Sequence, residues 1–159
     1  MMNPNPQNPH PFTYPQDRLL RLSGTIPDGE LRRPTTLNMN DDPCLVVIKR
    51  SAASGLTFGH AHDIVSYARD YYNGGDTKGS KDWSIRPAPG LPGPFSRKSD
   101  SGAVIVDGRG RIGGLLTGGS GLTDSLDITY ATPINFLMRS MCNQGLVFEI
   151  DQDPAVLSK

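Results

Sequence analysis

Four residues, Ser99-Asp100-Ser101-Gly102, carry the clearest chemical potential in this chain of 159 residues. They place a hydroxyl on a tight turn, and the apolar run Ala103-Val104-Ile105-Val106 that follows reads as a strand able to hold that turn still. A serine acts as a nucleophile when a base takes its proton and hydrogen-bond donors face the oxyanion that forms on its substrate. Gly102 leaves the turn open on one side. The same four residue types also build ordinary loops, so the surrounding elements decide what Ser101 is for.

Those elements read as short strands. Cys44 to Lys49 is a compact β-branched run, and Leu56 to Arg69 is a second extended stretch. Ser51-Ala52-Ala53-Ser54-Gly55 is the turn between them. Asp70 to Lys81 reads as a polar, glycine-containing loop, and Trp83 to Arg86 as a strand closed by Pro87. The four prolines from Pro87 to Pro94 predict an irregular approach to the Ser101 turn. Ala103 to Asp107 and Arg111 to Leu116 form a hairpin through Asp107-Gly108. Thr117 to Asp124 is glycine-rich, Asp127 to Thr132 is the last strand, and Pro133 opens a helix that runs through Met141. Before Cys44, Thr25-Ile26-Pro27-Asp28 reads as a short helix start with Thr25 as its cap. Six short strands at this spacing predict an all-β fold, a six-stranded antiparallel barrel with a short C-terminal helix and an irregular N-terminal leader. The organisation expected is a disordered proline-rich leader at 1–16, where five prolines fall, a linker with the short helix at 17–43, the barrel at 44–142 and a tail at 143–159. Leu146 to Ile150 in that tail is able to add an edge strand.

Composition narrows the function. Lys and Arg number 16, as do Asp and Glu, so no net field draws the chain to nucleic acid or to an anionic membrane. A hydrophobic share of 36% supports one modest core and no membrane span. The first residues lack the basic and apolar regions of a signal peptide, which points by default to the cytoplasm. Cys44 and Cys142 read as two reduced thiols, with pairing left open. No Cys/His cluster has zinc spacing, and no cofactor is expected. His10 lies in the leader. His60-Ala61-His62 puts two rings on one face of a strand, without a third ligand beyond Asp63, and Asp124 and Asp127 read as turn formers. Gly108-Arg109-Gly110-Arg111-Ile112-Gly113 matches G-x-G-x-x-G, but Gly114-Leu115-Leu116-Thr117-Gly118-Gly119 after it makes a poor helix, so no phosphate site is expected. Its two arginines read as a solvated hairpin tip.

The order of segments resembles the second barrel of the chymotrypsin-like (trypsin-like) serine peptidases, and is similar to fungal members of that family. Lys49 to Gly59 resembles the first hairpin of that barrel, and Phe95 to Val106 its nucleophile loop and following strand. Arg111 to Gly119, with its Gly-Leu-Leu-Thr-Gly-Gly segment, resembles the strand lining the substrate cleft. Thr129-Tyr130-Ala131-Thr132-Pro133-Ile134 resembles the closing segment, so the match runs from about Cys44 to Met141. The resemblance implies Ser101 as the nucleophile, the N–H groups of Ser99 and Ser101 as the oxyanion hole, and Asp100 as a structural acid. It implies a substrate pocket at Phe95, Thr117, Gly118 and Gly119. Phe95, where an acid would select Lys or Arg, implies apolar or small side chains in a polypeptide substrate. Two departures stand out. Ser99 occupies a position where the family has glycine, so a positive φ there would be strained. The first barrel, which supplies the family's histidine and aspartate, has no counterpart in the residues before Cys44. The expectation is therefore a serine endopeptidase-like domain with an incomplete triad, inactive by itself. It would rely on a missing N-terminal barrel or on self-association. The alternative is a non-catalytic remnant or binding module on the same barrel.

Overall fold

The computed structural model describes residues 16, 19–37, 41–71, 77–120 and 128–146. The leader expected at 1–16, apart from Gln16, the aspartates Asp124 and Asp127, and the edge strand proposed beyond Leu146 lie outside the described residues. Six strands follow a first short helix: α1 (Asp28–Arg32), β1 (Leu45–Ser51), β2 (Gly55–Tyr71), β3 (Thr77–Pro87), β4 (Val104–Asp107), β5 (Ile112–Ser120), β6 (Ile128–Pro133) and then α2 (Ile134–Asn143). They close into an antiparallel barrel in the order β1-β2-β3-β6-β5-β4. Closure pairs the edges that an open sheet of this size would leave as templates for association.

Alternation explains the interior. Leu45, Val47 and Lys49 of β1 turn inward, opposite Ala61, Gly59 and Thr57 of β2. Val47, Ala61, Trp83, Ile85, Phe95, Ile105, Leu116 and Ala131 form one buried cluster. Gly113 belongs to this packing because a Cβ there would lie 2.7 Å from Cζ3 of Trp83, so the indole fills the place of a side chain.

The structure departs from the sequence-based expectations in four places. Most of the polar stretch expected as a loop at Asp70 to Lys81 continues the β2–β3 hairpin, in register from Val65↔Trp83 to Tyr71↔Thr77. Main-chain pairing carries this ribbon beyond the barrel wall, where no apolar alternation is needed. β5 runs past the expected end at Leu116 to Ser120, because Gly118 and Gly119 of the glycine-rich stretch pair with Tyr130 and Thr129 of β6. Thr25 does not cap α1: Pro27 stands at the N-cap, and Thr25 forms a parallel bridge with Ile112. Arg111 is not on a solvated tip. Its guanidinium holds Glu30 through two bonds of 2.8 and 2.7 Å, and Nε donates to Asp107 at 2.8 Å.

The chain before β1 therefore lies against the β4–β5 hairpin. Ser23 N–H donates to the Gly110 carbonyl at 2.9 Å, Ile112 N–H to Gly24 at 3.0 Å, and Ile26 N–H to Ile112 at 2.9 Å. Gly110, with φ +79, lets this segment approach, since a Cβ would lie 1.9 Å from the Arg21 carbonyl oxygen. Ile26 enters the core with no exposed surface, and Leu31 follows at 5%. Ile26→Ala removes three buried carbons and leaves a cavity, with an expected loss of about 2–5 kcal/mol. A urea titration followed by Trp83 fluorescence reads this, as a lower midpoint with an unchanged slope.

Candidate active site

The loop before β4 is built from two successive turns. Asp100 N–H donates to the Arg97 carbonyl and Ala103 N–H to the Asp100 carbonyl, each at 3.0 Å. Gly102 N–H then donates to Leu116 at 2.7 Å, and Leu116 N–H to Ala103 at 3.0 Å, which fastens the loop to β5. Ser99 and Ser101 are exposed, with Asp100 buried between them. Ser99 has φ 81 and Gly102 φ 85. Among the described residues, neither the Ser99 nor the Ser101 N–H donates to an acceptor.

Asp100 anchors the turn from below. Its carboxylate accepts from Lys49 Nζ at 3.0 Å, Ser54 Oγ at 2.6 Å, and the backbone N–H groups of Arg97 at 2.8 Å and Ser54 at 3.3 Å. Both charged side chains are fully buried. Burial opposes ionisation of Asp100. The hydroxyls of Ser51 and Ser54, the Arg97 N–H and the Lys49 ammonium outweigh it, and hold the carboxyl well below the ordinary carboxylate range. Lys49 spends its three N–H donors on Asp100, Ser51 at 3.1 Å and Ser54 at 2.5 Å. With all three donors engaged it is held in place as the counter-charge of Asp100. Its Nζ also lies 5.4 Å from the centre of the Phe95 ring.

The remaining sequence-predicted residues divide. Thr117 and Gly119 are exposed and Gly118 half-buried on β5, past the point where pairing with β4 ends at Val104↔Leu115. They continue from Leu116, the residue to which the Ser101 loop is tied. Phe95 is 1% exposed, and its carbonyl accepts from Thr57 Oγ1 at 2.7 Å. A Cβ at Gly59 would come within 2.8 Å of the Phe95 ring. One contact escaped sequence reasoning: Ser96 Oγ and Thr129 Oγ1, both buried, lie 2.6 Å apart and join the loop to β6.

His60 and His62 sit half-buried on β2, and His60 pairs with Val46 and Arg86. Burial, and then the neighbouring His62, push His60 below its usual value. Among the described residues neither histidine hydrogen-bonds to Ser101, and no three His, Cys, Asp or Glu residues cluster as metal ligands. Cys44 and Cys142 are both free. Burial and the charge of Asp42 push the Cys44 thiol up to about 11, so it is not an activated nucleophile. No described helix is long and apolar enough to cross a membrane.

Comparison with solved structures places the fold. It is similar to the chymotrypsin of Cellulomonas bogoriensis, with a TM-score of 0.50 and 16% identity over 77% of this chain and 54% of that one. The active form of the Rv3671c protease of M. tuberculosis is similar at a TM-score of 0.44 and 14% identity, over 68% of this chain and 45% of that one. The chain spans about half the length of these proteins. No family model matches the chain, and no curated protein matches it in sequence. The architecture is thus a closed six-stranded barrel of the chymotrypsin-like kind, shared at the level of the fold.

Two variants test the loop. An L-residue at positive φ costs about 1–2 kcal/mol, while glycine costs about 0.5–1 kcal/mol in extra chain entropy. Ser99→Gly is therefore expected to raise stability by up to about 1 kcal/mol, read by urea denaturation. Lys49→Met leaves Asp100 buried without its counter-charge and is expected to cost about 3–5 kcal/mol at neutral pH. The pH dependence follows from the sign of the shift. In the wild type the folded pKa of Asp100 lies below its unfolded value. Its contribution is then complete above the unfolded value, near pH 4, and is lost as pH falls through the folded one. In Lys49→Met burial raises the folded pKa, so the variant recovers stability on acidification. Denaturation midpoints between pH 7 and pH 4 should converge for the two proteins.

Proposed function

We propose that this chain is the nucleophile-bearing second barrel of a serine endopeptidase-like protein acting on polypeptides, similar to fungal members of the chymotrypsin-like family. Ser101 is the nucleophile, the Ser99 and Ser101 N–H groups receive the oxyanion, Asp100 is the structural acid, and Thr117, Gly118 and Gly119 border the cleft. The observation that carries this reading is the anchored turn, in which the Ser99 and Ser101 amides have no acceptor among the described residues. The histidine and aspartate come from elsewhere, from a first barrel or a second copy of this chain, so the chain by itself does not turn over peptides. Support comes from His60 and His62, which sit on β2 without a bond to Ser101, and from the half-length match to the Cellulomonas protein. Phe136 and Met141 of α2, and Val104 beside the loop, leave apolar surface in water that a docked mate would cover. The same observations favour a second reading, a non-catalytic binding module on this barrel.

A fluorophosphonate probe separates the two. Without a triad base, an oxyanion site by itself retains roughly 10³–10⁴-fold acceleration over water. The expected result is slow labelling over hours, mapped to Ser101 by mass spectrometry and absent in Ser101→Ala. Labelling within seconds would show a complete triad in this chain. Labelling no faster than in the urea-unfolded chain would leave the binding module.

A further inference from the structure

We propose that the outer face of the barrel where β2 meets β3 binds a phosphate monoester through His60, His62 and Arg86. The register places these residues. Ala61 and Ile85 are cross-strand partners, and both point into the core with no exposed surface. Their neighbours along the strands, His60 and His62 on β2 and Arg86 on β3, therefore belong to the outer face. His60 and Arg86 are themselves direct partners, a relation that sets their Cβ atoms about 4.5–5.5 Å apart. The register with β3 shifts between Ala61 and Val65. His62 nevertheless stays near His60: burial first, and then the charge of His62, push His60 below its usual value.

The donors on this face are unspent. None of the three side chains forms a hydrogen bond or an ion pair among the described residues. The two imidazoles are half-buried, so they have given up part of their hydration without gaining a bond in return. Arg86 is exposed, and its guanidinium is a planar fork that matches two phosphate oxygens at once. Each neutral imidazole adds one N–H for the remaining oxygens, and each protonated one adds two. Around His60, β1 contributes the apolar Val46 and β3 contributes Arg86. Its own strand contributes His62 and the exposed Asp63. The segment before β1 brings Cys44 and Asp42, and Asp42 has a partner of its own. Arg86 decides between classes of ligand. A permanent cation opposite His60 repels a metal ion, and no third His, Cys, Asp or Glu joins the two rings among the described residues. The same charge attracts an anion, and a dianion gains most from it.

The Cε1 proton resonances of the histidines in the full chain report on this face, assigned with His60→Gln and His62→Gln and referenced to His10. At pH 7 methyl phosphate is largely a dianion, with a second pKa of about 6 as for phosphorylated side chains, whereas methyl sulfate carries one charge. Methyl phosphate is expected to shift the His60 and His62 signals saturably, and to bind about tenfold or more tighter than methyl sulfate; Arg86→Gln is expected to remove that advantage. Inorganic sulfate stays a dianion across the titration. Compared with chloride at equal ionic strength, it is expected to raise the pKa of both rings by about one unit, because a neighbouring negative charge favours the protonated imidazole. Signals of His60 and His62 that move no further than that of His10, equal affinity for the two esters, or undiminished binding in Arg86→Gln would overturn the assignment. Ser101 takes no part, so either result leaves the function proposed above as it was.

Discussion

A single ion pair, Lys49 with Asp100, sets the conformation on which the candidate site depends. Two charges without solvent exposure are tolerable only where their remaining bonds are filled. Here they are, because Lys49 has three acceptors and Asp100 collects donors from two side chains and two backbone amides. The pair also ties elements distant in sequence. Lys49 ends the buried part of β1, Ser54 lies in the turn into β2, and Asp100 sits under the exposed serines. The turn cannot relax to relieve Ser99 without lifting Asp100 out of this cluster. Local strain of about 1–2 kcal/mol is outweighed by the cost of breaking a buried pair, about 3–5 kcal/mol, so the strained turn persists.

β4 transmits that constraint across the barrel. It has four residues, Val104–Asp107, and spans roughly 10 Å at about 3.3 Å per residue. The Asp100–Lys49 cluster lies just before it. At its far end Asp107 holds Arg111 at 2.7 Å, and Arg111 holds Glu30 at 2.7 Å. These bonds, with the pull of the two carboxylates, keep the Arg111 guanidinium charged well above its usual range, the bonds to Glu30 counting most. The segment carrying Ile26 and α1 is thereby fixed to the hairpin. A short strand clamped at both ends by polar clusters, and flanked by β1 and β5, gives the Ser101 turn little freedom to shift.

Much of this was legible in the residues. β-branched runs and turn residues located all six strands, and Pro133 marked the start of α2. The resemblance, not the residues themselves, pointed to Ser99 as a side chain where the family has glycine, and the structure has φ 81 there. Lys49 was not recognised, although a signal existed. It falls in the inward phase of β1 with Leu45 and Val47, and a charge in an apolar phase demands a buried partner. The hairpin extension at 77–81 left no signal, because its pairing is main-chain and its side chains are polar. The role of Ile26 was hidden for another reason: a lone isoleucine between a threonine and a proline has no periodicity, and only the hairpin it meets makes it core.

The division of labour within the fold separates what stability requires from what it does not. A barrel kept only for stability has no need of a buried charge pair, since apolar residues of similar volume do as well or better at such positions. It has equally little need of a serine at positive φ, or of two amides left without acceptors at the surface. The pair offers no advantage over apolar residues and the serine is strained, and both lie within the span from Arg97 to Gly102 and the residues that grip it. Costs concentrated at one place in this way are the pattern expected of a functional site, and they are the physical reason the proposed function is centred on this turn.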